Sequence, residues 1–320
     1  MAEKSPYKVY SEWLRERYGE KIYKLPVNIP VTCPNRDGTL GTGGCIYCGA
    51  KGGGNETLSE FLSVKEQISQ NKAYITKRYK AKKFIPYFQS FTNTYCDFDQ
   101  FTKAIEDAAE SDSVGIAIST RPDCLTENQL IFLENFQHDH HIDISIELGL
   151  QTANYKTLKI LNRGHSLAEY IHAAVAIKNH KLQLCTHVIL DLPWDDRDDV
   201  IETAKVISAV QSDFVKCHAL YVEKETVLGK WYQDGTISLF PKEEYIERCI
   251  LFLEYLDPNM VVQRIIGRAP ESDSIITNWN TSWWKIKDDL EEKMYCNNNF
   301  QGKKFNEKQS IIYGKCDKID

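Results

Sequence analysis

Three cysteines in a glycine-rich segment carry the clearest chemical signal in this chain of 320 residues. Cys33, Cys45 and Cys48 lie within 16 residues, and the last two form a Cys-x-x-Cys pair. Such a pair places two thiolates on one metal centre, and five glycines by position 49 let the backbone fold tightly around it. No fourth cysteine follows before Cys96, and the segment contains no histidine. The spacing therefore predicts a site with three thiolate ligands.

This ligand count favours an iron–sulfur cluster over two other kinds of cysteine site. A [4Fe–4S] cluster bound by three thiolates keeps one iron open to a further ligand. A structural zinc ion takes four protein ligands. A thioredoxin-type redox pair would stand at the start of a helix and would not need Cys33. The residues alone favour the cluster and leave zinc and the redox pair as alternatives.

The rest of the chain predicts a sheet of parallel strands that would position this segment. Apolar runs of the kind that form buried strands alternate with helical patterns, such as the period of 3.6 residues over 98–108. This alternation predicts an α/β fold, a partial (β/α)6 TIM-like barrel whose chemistry collects at the carboxyl ends of the strands. The six predicted strands are Leu25–Val31, Phe84–Thr92, Val114–Thr120, Ile142–Gln151, Gln183–Pro193 and Phe214–Leu220.

Two flanking segments frame the predicted barrel, which we assign to residues 25–230. Residues 1–24 are predicted to form an N-terminal helical segment. Residues 231–320 are predicted to form a C-terminal α/β extension that no longer follows the regular alternation. Within the barrel, two sequence pairs match the capping box that opens a helix, namely Thr126 with Gln129 and Ser166 with Glu169.

Composition excludes several classes of protein. A hydrophobic content of 42% and a charged content of 26% are ordinary for a soluble globular chain and exclude general disorder. The ten cysteines make up about 3% of the chain, far below the roughly 8–10% cysteine of disulfide scaffolds. No apolar run reaches the roughly 18 residues of a transmembrane helix, and the N-terminus lacks the apolar region of a secretory signal. We therefore expect a cytoplasmic protein with no membrane partner, whose cysteines are thiols or metal ligands.

The cysteine segment resembles the cluster-binding loop of the radical S-adenosylmethionine (radical SAM) superfamily. The usual spacing there is C-x3-C-x2-C, whereas this chain has C-x11-C-x2-C. The longer spacing, with its Cys-Pro-Asn-Arg-Asp-Gly opening, is similar to the Elongator-like branch and to a bacterial family of short proteins within it. The resemblance implies a [4Fe–4S] cluster on Cys33, Cys45 and Cys48, with S-adenosylmethionine (SAM) at the open iron. Electron transfer would cleave SAM to methionine and a 5′-deoxyadenosyl radical, which abstracts a hydrogen atom from the substrate.

The resemblance also implies which residues contact SAM. Tyr47 takes the place of an aromatic residue that packs against adenine, and His187 matches a position that meets the ribose. Gln151 and Arg163 resemble a SAM-binding pair, and a guanidinium suits a carboxylate bidentately. Taken singly, residues of these types are more often core or helix-cap residues. As a set they lie at the carboxyl ends of successive predicted strands, which favours cofactor binding. The implied cofactor-binding set is Tyr47, Asn93, Thr94, Ser119, Arg121, Glu147, Gln151, Arg163 and His187, and residues 216–221 are expected on the substrate side.

A basic strip, defined here as Lys77, Arg78, Lys80, Lys82 and Lys83, interrupts an otherwise acidic chain. Residues 67–96 carry six lysines or arginines and no Asp or Glu, so the net charge of −6 is the sum of +6 there and −12 elsewhere. Tyrosines and phenylalanines are interleaved with these charges and follow them. One interpretation is a strip that binds nucleic acid through phosphate contacts and stacking. The other is a solvated helix face that runs into a buried strand.

Three hypotheses describe the function. The first, implied by the resemblance, is modification of the uridine-5 side chain at the wobble position of tRNA. Its partners would be tRNA, an external electron donor such as flavodoxin or ferredoxin, and a downstream modification enzyme. The second is a radical SAM enzyme that acts on a small metabolite or a protein. The third, from another class, is a non-catalytic metal-binding module that interacts with RNA.

Overall fold

Strands and helices alternate through most of the chain in the computed structural model, which describes residues 5–53, 57–110, 112–268 and 274–306. The elements in chain order are α1 (Tyr10–Tyr18), β1 (Ile22–Val27), α2 (Val64–Tyr79), β2 (Lys83–Phe88), α3 (Phe98–Ala108), β3 (Gly115–Thr120), α4 (Glu127–His140), β4 (Asp143–Gln151), α5 (Tyr155–Ile160), α6 (Leu167–Asn179), β5 (Gln183–Ile189), α7 (Arg197–Ala209), β6 (Phe214–His218), β7 (Val222–Glu223), α8 (Val227–Gln233), α9 (Lys242–Tyr255), β8 (Val261–Arg264), β9 (Ser274–Ile276) and α10 (Trp283–Cys296). Short 3₁₀ turns at Pro122–Cys124 and Asn278–Asn280 complete the set.

Seven of the strands form one parallel sheet in the order β1-β2-β3-β4-β5-β6-β8. The sheet curls into a half-barrel, because side chains of its two edge strands meet across the interior. Lys24 on β1 donates a hydrogen bond from Nζ to Gln263 Oε1 on β8 at 3.0 Å. The remaining two strands, β7 and β9, pair with each other in a short antiparallel ribbon.

The two faces of each strand have different chemistry. On β3 and β4 the residues Ile116, Ile118, Ile144 and Ile146 belong to the large apolar core. The alternate positions point to the inside of the curl and include the polar side chain of Glu147. The apolar face binds the sheet to its helices, and the inner face is left for a site.

Helix α1 closes the inner face at the amino ends of the strands. Its Tyr10 and Trp13 rings pack edge-on against Phe214 on β6, with ring centroids 5.3 and 4.9 Å away. Apolar contacts from Leu14 extend this packing towards β2 and β3. The interior is therefore sealed at one end, and polar residues above the seal are shielded from water.

The predicted barrel is confirmed, and a seventh strand extends it. All six predicted strands are present, but β1 starts at Ile22 and ends at Val27, so residues 28–32 separate it from Cys33. Strand β8 lies in the predicted C-terminal extension, where α9 and β8 add one more helix–strand repeat. Strand β8 was not predicted from the sequence, because Gln263 and Arg264 shorten the apolar run that marks a buried strand.

Both predicted capping boxes are formed. Thr126 and Gln129 open α4, and Ser166 and Glu169 open α6, each with the reciprocal side-chain and backbone hydrogen bonds. These caps end the preceding loops at fixed positions, and those loops leave the carboxyl ends of β3 and β4. None of the helices in the described part of the chain is long and apolar enough to cross a membrane.

Candidate active site

A cavity of about 250 Å³ opens at the carboxyl ends of the parallel strands. Parallel strands bring the residues that follow them to one edge of a sheet, which is why positions scattered along the sequence meet here. Ten of the twelve predicted cluster and cofactor residues line it. They are Cys33, Cys45, Tyr47, Cys48, Ser119, Arg121, Glu147, Gln151, Arg163 and His187.

The cysteine loop forms one wall of the cavity and is held by Arg36. The Arg36 guanidinium donates from Nη2 to the carbonyls of Cys48 and Gly49, both at 2.7 Å. A tight turn links the two neighbouring cysteines, since the amide of Cys48 donates to the carbonyl of Cys45 at 3.0 Å. Gly44 has a φ of 81°, the left-handed region that glycine adopts without strain, and a Cβ there would lie 2.9 Å from Arg36 Nε.

Cationic and amide donors point at the cysteine sulfurs. Arg163 donates from Nη1 to Cys45 Sγ at 3.2 Å, and Arg121 donates from Nη1 to Cys33 Sγ at 3.8 Å. Asn35 Nδ2 lies 3.7 Å from Cys45 Sγ. Burial, followed by the proximity of Cys45, raises the pKa of Cys48. Thiolates in this wall therefore need positive charge beside them, which the two arginines and a bound metal centre would supply.

The three loop cysteines fit an iron–sulfur cluster better than a single zinc ion. Among the described residues, one group of three potential ligands has all its ligand atoms within 4.8 Å of one another, and it is not this one. Zinc–sulfur bonds of about 2.3 Å hold tetrahedral sulfurs roughly 3.8 Å apart, closer than the spread of these thiols. A cluster bonds each thiolate to a different iron, so it accepts a wider spread and a donor set of three. Cys33, Cys45 and Cys48 are all free thiols.

The group that does lie within 4.8 Å consists of Glu147, Cys185 and His187. The carboxylate of Glu147 is already ion-paired with Lys24 and Lys216. A cation bound here would sit beside two ammonium groups, which disfavours it. Burial, followed by the charge of Glu147, raises the pKa of Cys185 well above its ordinary value, so its thiol stays neutral. We assign no metal to this group.

Gln151 and Arg163 meet at an irregular end of β4. The register of β4 against β5 shifts between Gly149 and Gln151, and Gln151 has a φ of 79°, an uncommon conformation for a residue with a side chain. Arg163 donates from Nη2 to the carbonyl of Gly149 at 2.9 Å, and its Nη1 lies 3.3 Å from the hydroxyl of Tyr47. A Cβ at Gly149 would lie 3.0 Å from both neighbouring side chains. The bulge thus fits Arg163 between β4 and the cysteine loop.

A buried carboxylate, Glu147, organises the floor of the cavity. Its Oε2 accepts hydrogen bonds from Lys216 Nζ at 2.9 Å and His187 Nε2 at 2.8 Å, and Lys24 pairs with its Oε1. Lys216 also donates to the hydroxyl of Tyr87 at 2.9 Å. The hydroxyls of Tyr87 and Ser119 share a further hydrogen bond at 2.8 Å.

The ionisation states of the floor follow from burial and these contacts. Burial alone would raise the pKa of Glu147, but Lys216, Lys24 and His187 hold it well below its usual range. Burial lowers the pKa of Lys216 to about 8, against the attraction of Glu147. At neutral pH Glu147 is therefore ionised and Lys216 is mostly protonated.

Hydrogen bonds fix the tautomers of two histidines on the floor. Arg264 can only donate, so His218 accepts at Nδ1 (2.9 Å) and carries its proton on Nε2. His218 Nε2 then faces His187 Nδ1 at 3.4 Å, and His187 Nε2 donates to Glu147. Burial and Lys216 lower the pKa of His187 to about 4, and burial and Arg264 lower the pKa of His218 well below its ordinary value. Both rings are neutral, and a chain of donors runs from Arg264 to Glu147.

Two predicted residues do not point into the cavity. Asn93 donates from Nδ2 to the carbonyls of Phe88 and Ser119 at 3.1 and 3.0 Å. Thr94 bonds through Oγ1 to the carbonyl of Cys124 at 2.5 Å and lies on the wall of a second, neighbouring groove. Thr92, two residues earlier, lines the cavity instead. The SAM contacts implied for Asn93 and Thr94 stay predictions.

The basic strip lies at the other end of the barrel. Lys77 and Arg78 are in the last turn of α2, and Lys83 begins β2, so the strip stands at the amino ends of the strands. Lys83 pairs with Glu20 at 3.3 Å, and Arg78 donates to the hydroxyl of Tyr74 at 2.5 Å. The nucleic-acid contact suggested for Lys77, Arg78, Lys80, Lys82 and Lys83 stays a prediction, and it is remote from the cavity.

Sequence reasoning missed part of the floor. Lys24, Tyr87 and Arg264 were not predicted, although Lys24 and Arg264 interrupt otherwise apolar strands. Lys216 and His218 lie in the segment expected on the substrate side, and both line the cavity. A charged residue inside a buried strand is the signal that could have found the others, because such a residue needs a partner.

Comparisons with known proteins agree with this geometry. A family model described as the Radical SAM superfamily matches residues 27–207, and one described as the Radical_SAM C-terminal domain matches residues 212–295. The uncharacterized protein YtqA of Bacillus subtilis is 32% identical over 300 residues, which cover 93% of this chain and 92% of YtqA. A tRNA uridine(34) acetyltransferase of Dehalococcoides mccartyi is 22% identical over 171 residues, which cover 52% of this chain and 36% of that enzyme.

Among solved structures, Elp3 of the archaeon Methanocaldococcus infernus, with its N-terminus deleted, has a similar fold. It superposes with a TM-score of 0.64 at 17% sequence identity, covering 88% of this chain and 64% of the Elp3 chain. At this identity the likeness concerns the fold. It agrees with the curled parallel sheet described above.

Proposed function

Because the chain belongs to the radical SAM superfamily, whose members use a [4Fe–4S] cluster and SAM, we propose that Cys33, Cys45 and Cys48 hold the cluster and that SAM binds in the adjoining cavity. The observation that carries this proposal is the wall of three free thiols, spread too widely for one zinc ion, at the carboxyl edge of the barrel. When bound and reduced, the cluster supplies the electron that cleaves SAM to methionine and a 5′-deoxyadenosyl radical.

The chain's own residues would bind and orient SAM. Arg163 lies between Cys45 and Tyr47, where its guanidinium can receive the carboxylate of a ligand that approaches the cysteine loop. Tyr47 offers a ring against adenine, Ser119 offers a hydroxyl to the ribose from β3, and the His187 ring lines the ribose side from β5. Arg121, Glu147 and Gln151 complete the lining, with Glu147 acting through His187 rather than by direct exposure. An electron donor such as flavodoxin or ferredoxin would reduce the cluster.

Replacing Arg163 with glutamine should weaken SAM binding. The loss of one charged hydrogen bond raises a dissociation constant by about tenfold or more, and we expect at least that in calorimetric titration of the reconstituted protein. Arg197→Gln is the matched control, because Arg197 is an exposed arginine paired with Glu244 on the outer helices. If Arg163→Gln binds SAM as tightly as the wild type, Arg163 does not hold SAM.

We further propose that the substrate is tRNA and that the reaction modifies the uridine-5 side chain at the wobble position. Support comes from the match to the tRNA uridine(34) acetyltransferase, which covers 52% of this chain. The cysteine spacing points the same way, since C-x11-C-x2-C resembles the Elongator-like branch. The proposal does not depend on the basic strip, which lies away from the cavity.

The nucleosides of total tRNA test this substrate. Mass spectrometry should show a changed uridine derivative in a strain that lacks the gene, compared with its parent. Complementation with the wild-type gene should restore the parental profile, and complementation with the Cys45→Ala gene should not. An unchanged uridine profile would reject tRNA and favour a small metabolite or a protein as the substrate.

A further inference from the structure

The floor of the cavity carries more positive than negative charge. Lys24, Lys216 and Arg264 are three cations grouped around one carboxylate, Glu147. His187 lies between them and is neutral. Glu147 is the one carboxylate among the charges that shift the pKa of Lys216, where Arg264 and Lys24 act as like charges. These four groups therefore carry more positive than negative charge, with Glu223 as a further carboxylate in the cavity lining, and buried charge without a counter-ion is unfavourable.

The cations on the other side of the cavity already have partners. Arg36 is bound to two carbonyls of the cysteine loop. Arg121 forms a two-pronged ion pair with Asp123, at 2.9 and 2.8 Å. Arg163 contacts Cys45 and a backbone carbonyl. These three side chains are therefore engaged on the cysteine side, whereas the incompletely bonded cation lies on the side formed by β6 and β8.

Arg264 is fixed in place but incompletely bonded. Its Nη2 donates to His218, whereas its Nε is buried without a hydrogen-bond partner among the described residues. The backbone of Gly267 packs over the guanidinium, since a Cβ there would lie 2.6 Å from Arg264 Cζ. A buried donor without an acceptor is costly, so a ligand oxygen on this side would stabilise the arrangement.

We propose that the β6–β8 side of the cavity is a subsite for an oxyanion of the second substrate, bound by Lys216 and Arg264. An ammonium and a guanidinium that line one cavity suit a carboxylate or a phosphate group. Lys24 also pairs with Glu147, and Lys216 uses two of its three Nζ protons on Glu147 and Tyr87, so that its third proton is left for the ligand beside the Arg264 guanidinium. The inference rests on the proposed function only in that SAM occupies the cysteine side of the same cavity.

Anion binding to the protein loaded with cluster and SAM tests the subsite. Inorganic phosphate and acetate are titrated separately by calorimetry at constant ionic strength. We expect one of them to bind at one site, and Arg264→Gln and Lys216→Gln to weaken that binding by about tenfold or more. Preference for phosphate would indicate a nucleotide phosphate of the substrate, and preference for acetate a carboxylate. Arg197→Gln is the control and should bind as the wild type does.

Two outcomes would overturn the subsite: neither anion binds the wild type, or Arg264→Gln binds as tightly as the wild type. Gly267→Ala covers the case in which Arg264→Gln does not fold. It keeps every charge but displaces the guanidinium, so it should weaken anion binding, and unchanged binding would contradict the proposal.

The same titration without cluster and SAM separates this inference from the proposed function. Lys216 and Arg264 stand on strands of the sheet, not on the cysteine loop. Anion binding by a protein that takes up neither cluster nor SAM would therefore uphold the subsite and reject the proposed function. A protein that takes up both cluster and SAM but binds neither phosphate nor acetate would reject the subsite and leave the proposed function standing.

Discussion

Replacing Cys45 with alanine should abolish formation of 5′-deoxyadenosine. The cavity wall offers three thiols, so the loss of one leaves two ligands for a cluster that needs three. Changes to residues that only support a metal site typically cost about 10- to 100-fold, and loss of a ligand should cost more than that. The measurement is 5′-deoxyadenosine released from SAM by the reduced, anaerobically reconstituted variant.

Cys296→Ala is the matched control for this variant. Cys296 is an exposed free thiol at the end of α10, distant in the fold from the cysteine loop. It should load iron and sulfide and cleave SAM as the wild type does. Full cleavage by Cys45→Ala would reject the assignment of the cluster ligands, whatever the control shows.

Replacing Glu147 with glutamine should have the largest effect on stability. The change keeps the shape of the side chain but leaves Lys24 and Lys216 without their counter-ion in a buried floor. Breaking a buried ion pair by removing one partner costs about 3–5 kcal/mol, and we expect a loss of that order in the free energy of unfolding. Urea unfolding at pH 6.5 measures it. Glu202→Gln is the control, because Glu202 pairs with Lys205 on an exposed helix face.

The loss caused by Glu147→Gln should depend on pH in a definite direction. Burial lowers the pKa of Lys216 to about 8 in the wild type, and Glu147 opposes that effect. Without Glu147 the pKa falls further, so folded Lys216 releases its proton below pH 8 while the unfolded lysine keeps it. Folding then becomes more favourable as pH rises, and the difference from the wild type should shrink between pH 6.5 and 8. Adding Lys216→Gln should recover part of the loss, and an unchanged unfolding midpoint in Glu147→Gln would contradict the charge balance described here.

The cysteine loop and the strand-end residues could be predicted because their signals are local. The residue type and spacing of Cys33, Cys45 and Cys48 indicate a metal site. The apolar runs predict the strands, and most other site residues lie at or directly after the end of one. Positions at the carboxyl ends of parallel strands must lie near one another, whatever the details of the loops. For this reason ten of the twelve predicted cluster and cofactor residues line the cavity.

The floor could not be predicted, because its contacts depend on how far the sheet curls. Lys24 and Gln263 are 239 residues apart and stand on the two edge strands, and their hydrogen bond exists only because those edges face each other. Asn93 and Thr94 differ from the residues that line the cavity. They follow β2 as expected, but the turn after Phe88 directs their side chains to backbone carbonyls, a detail set by loop conformation rather than by strand order.

Formation of 5′-deoxyadenosine by the wild-type protein is the decisive measurement of radical SAM activity in this chain. Protein reconstituted with iron and sulfide under anaerobic conditions should be brown, and it should convert SAM to 5′-deoxyadenosine and methionine when it is reduced. A colourless protein that binds zinc at the cysteine loop, or a brown protein that leaves SAM intact under reduction, would contradict the account.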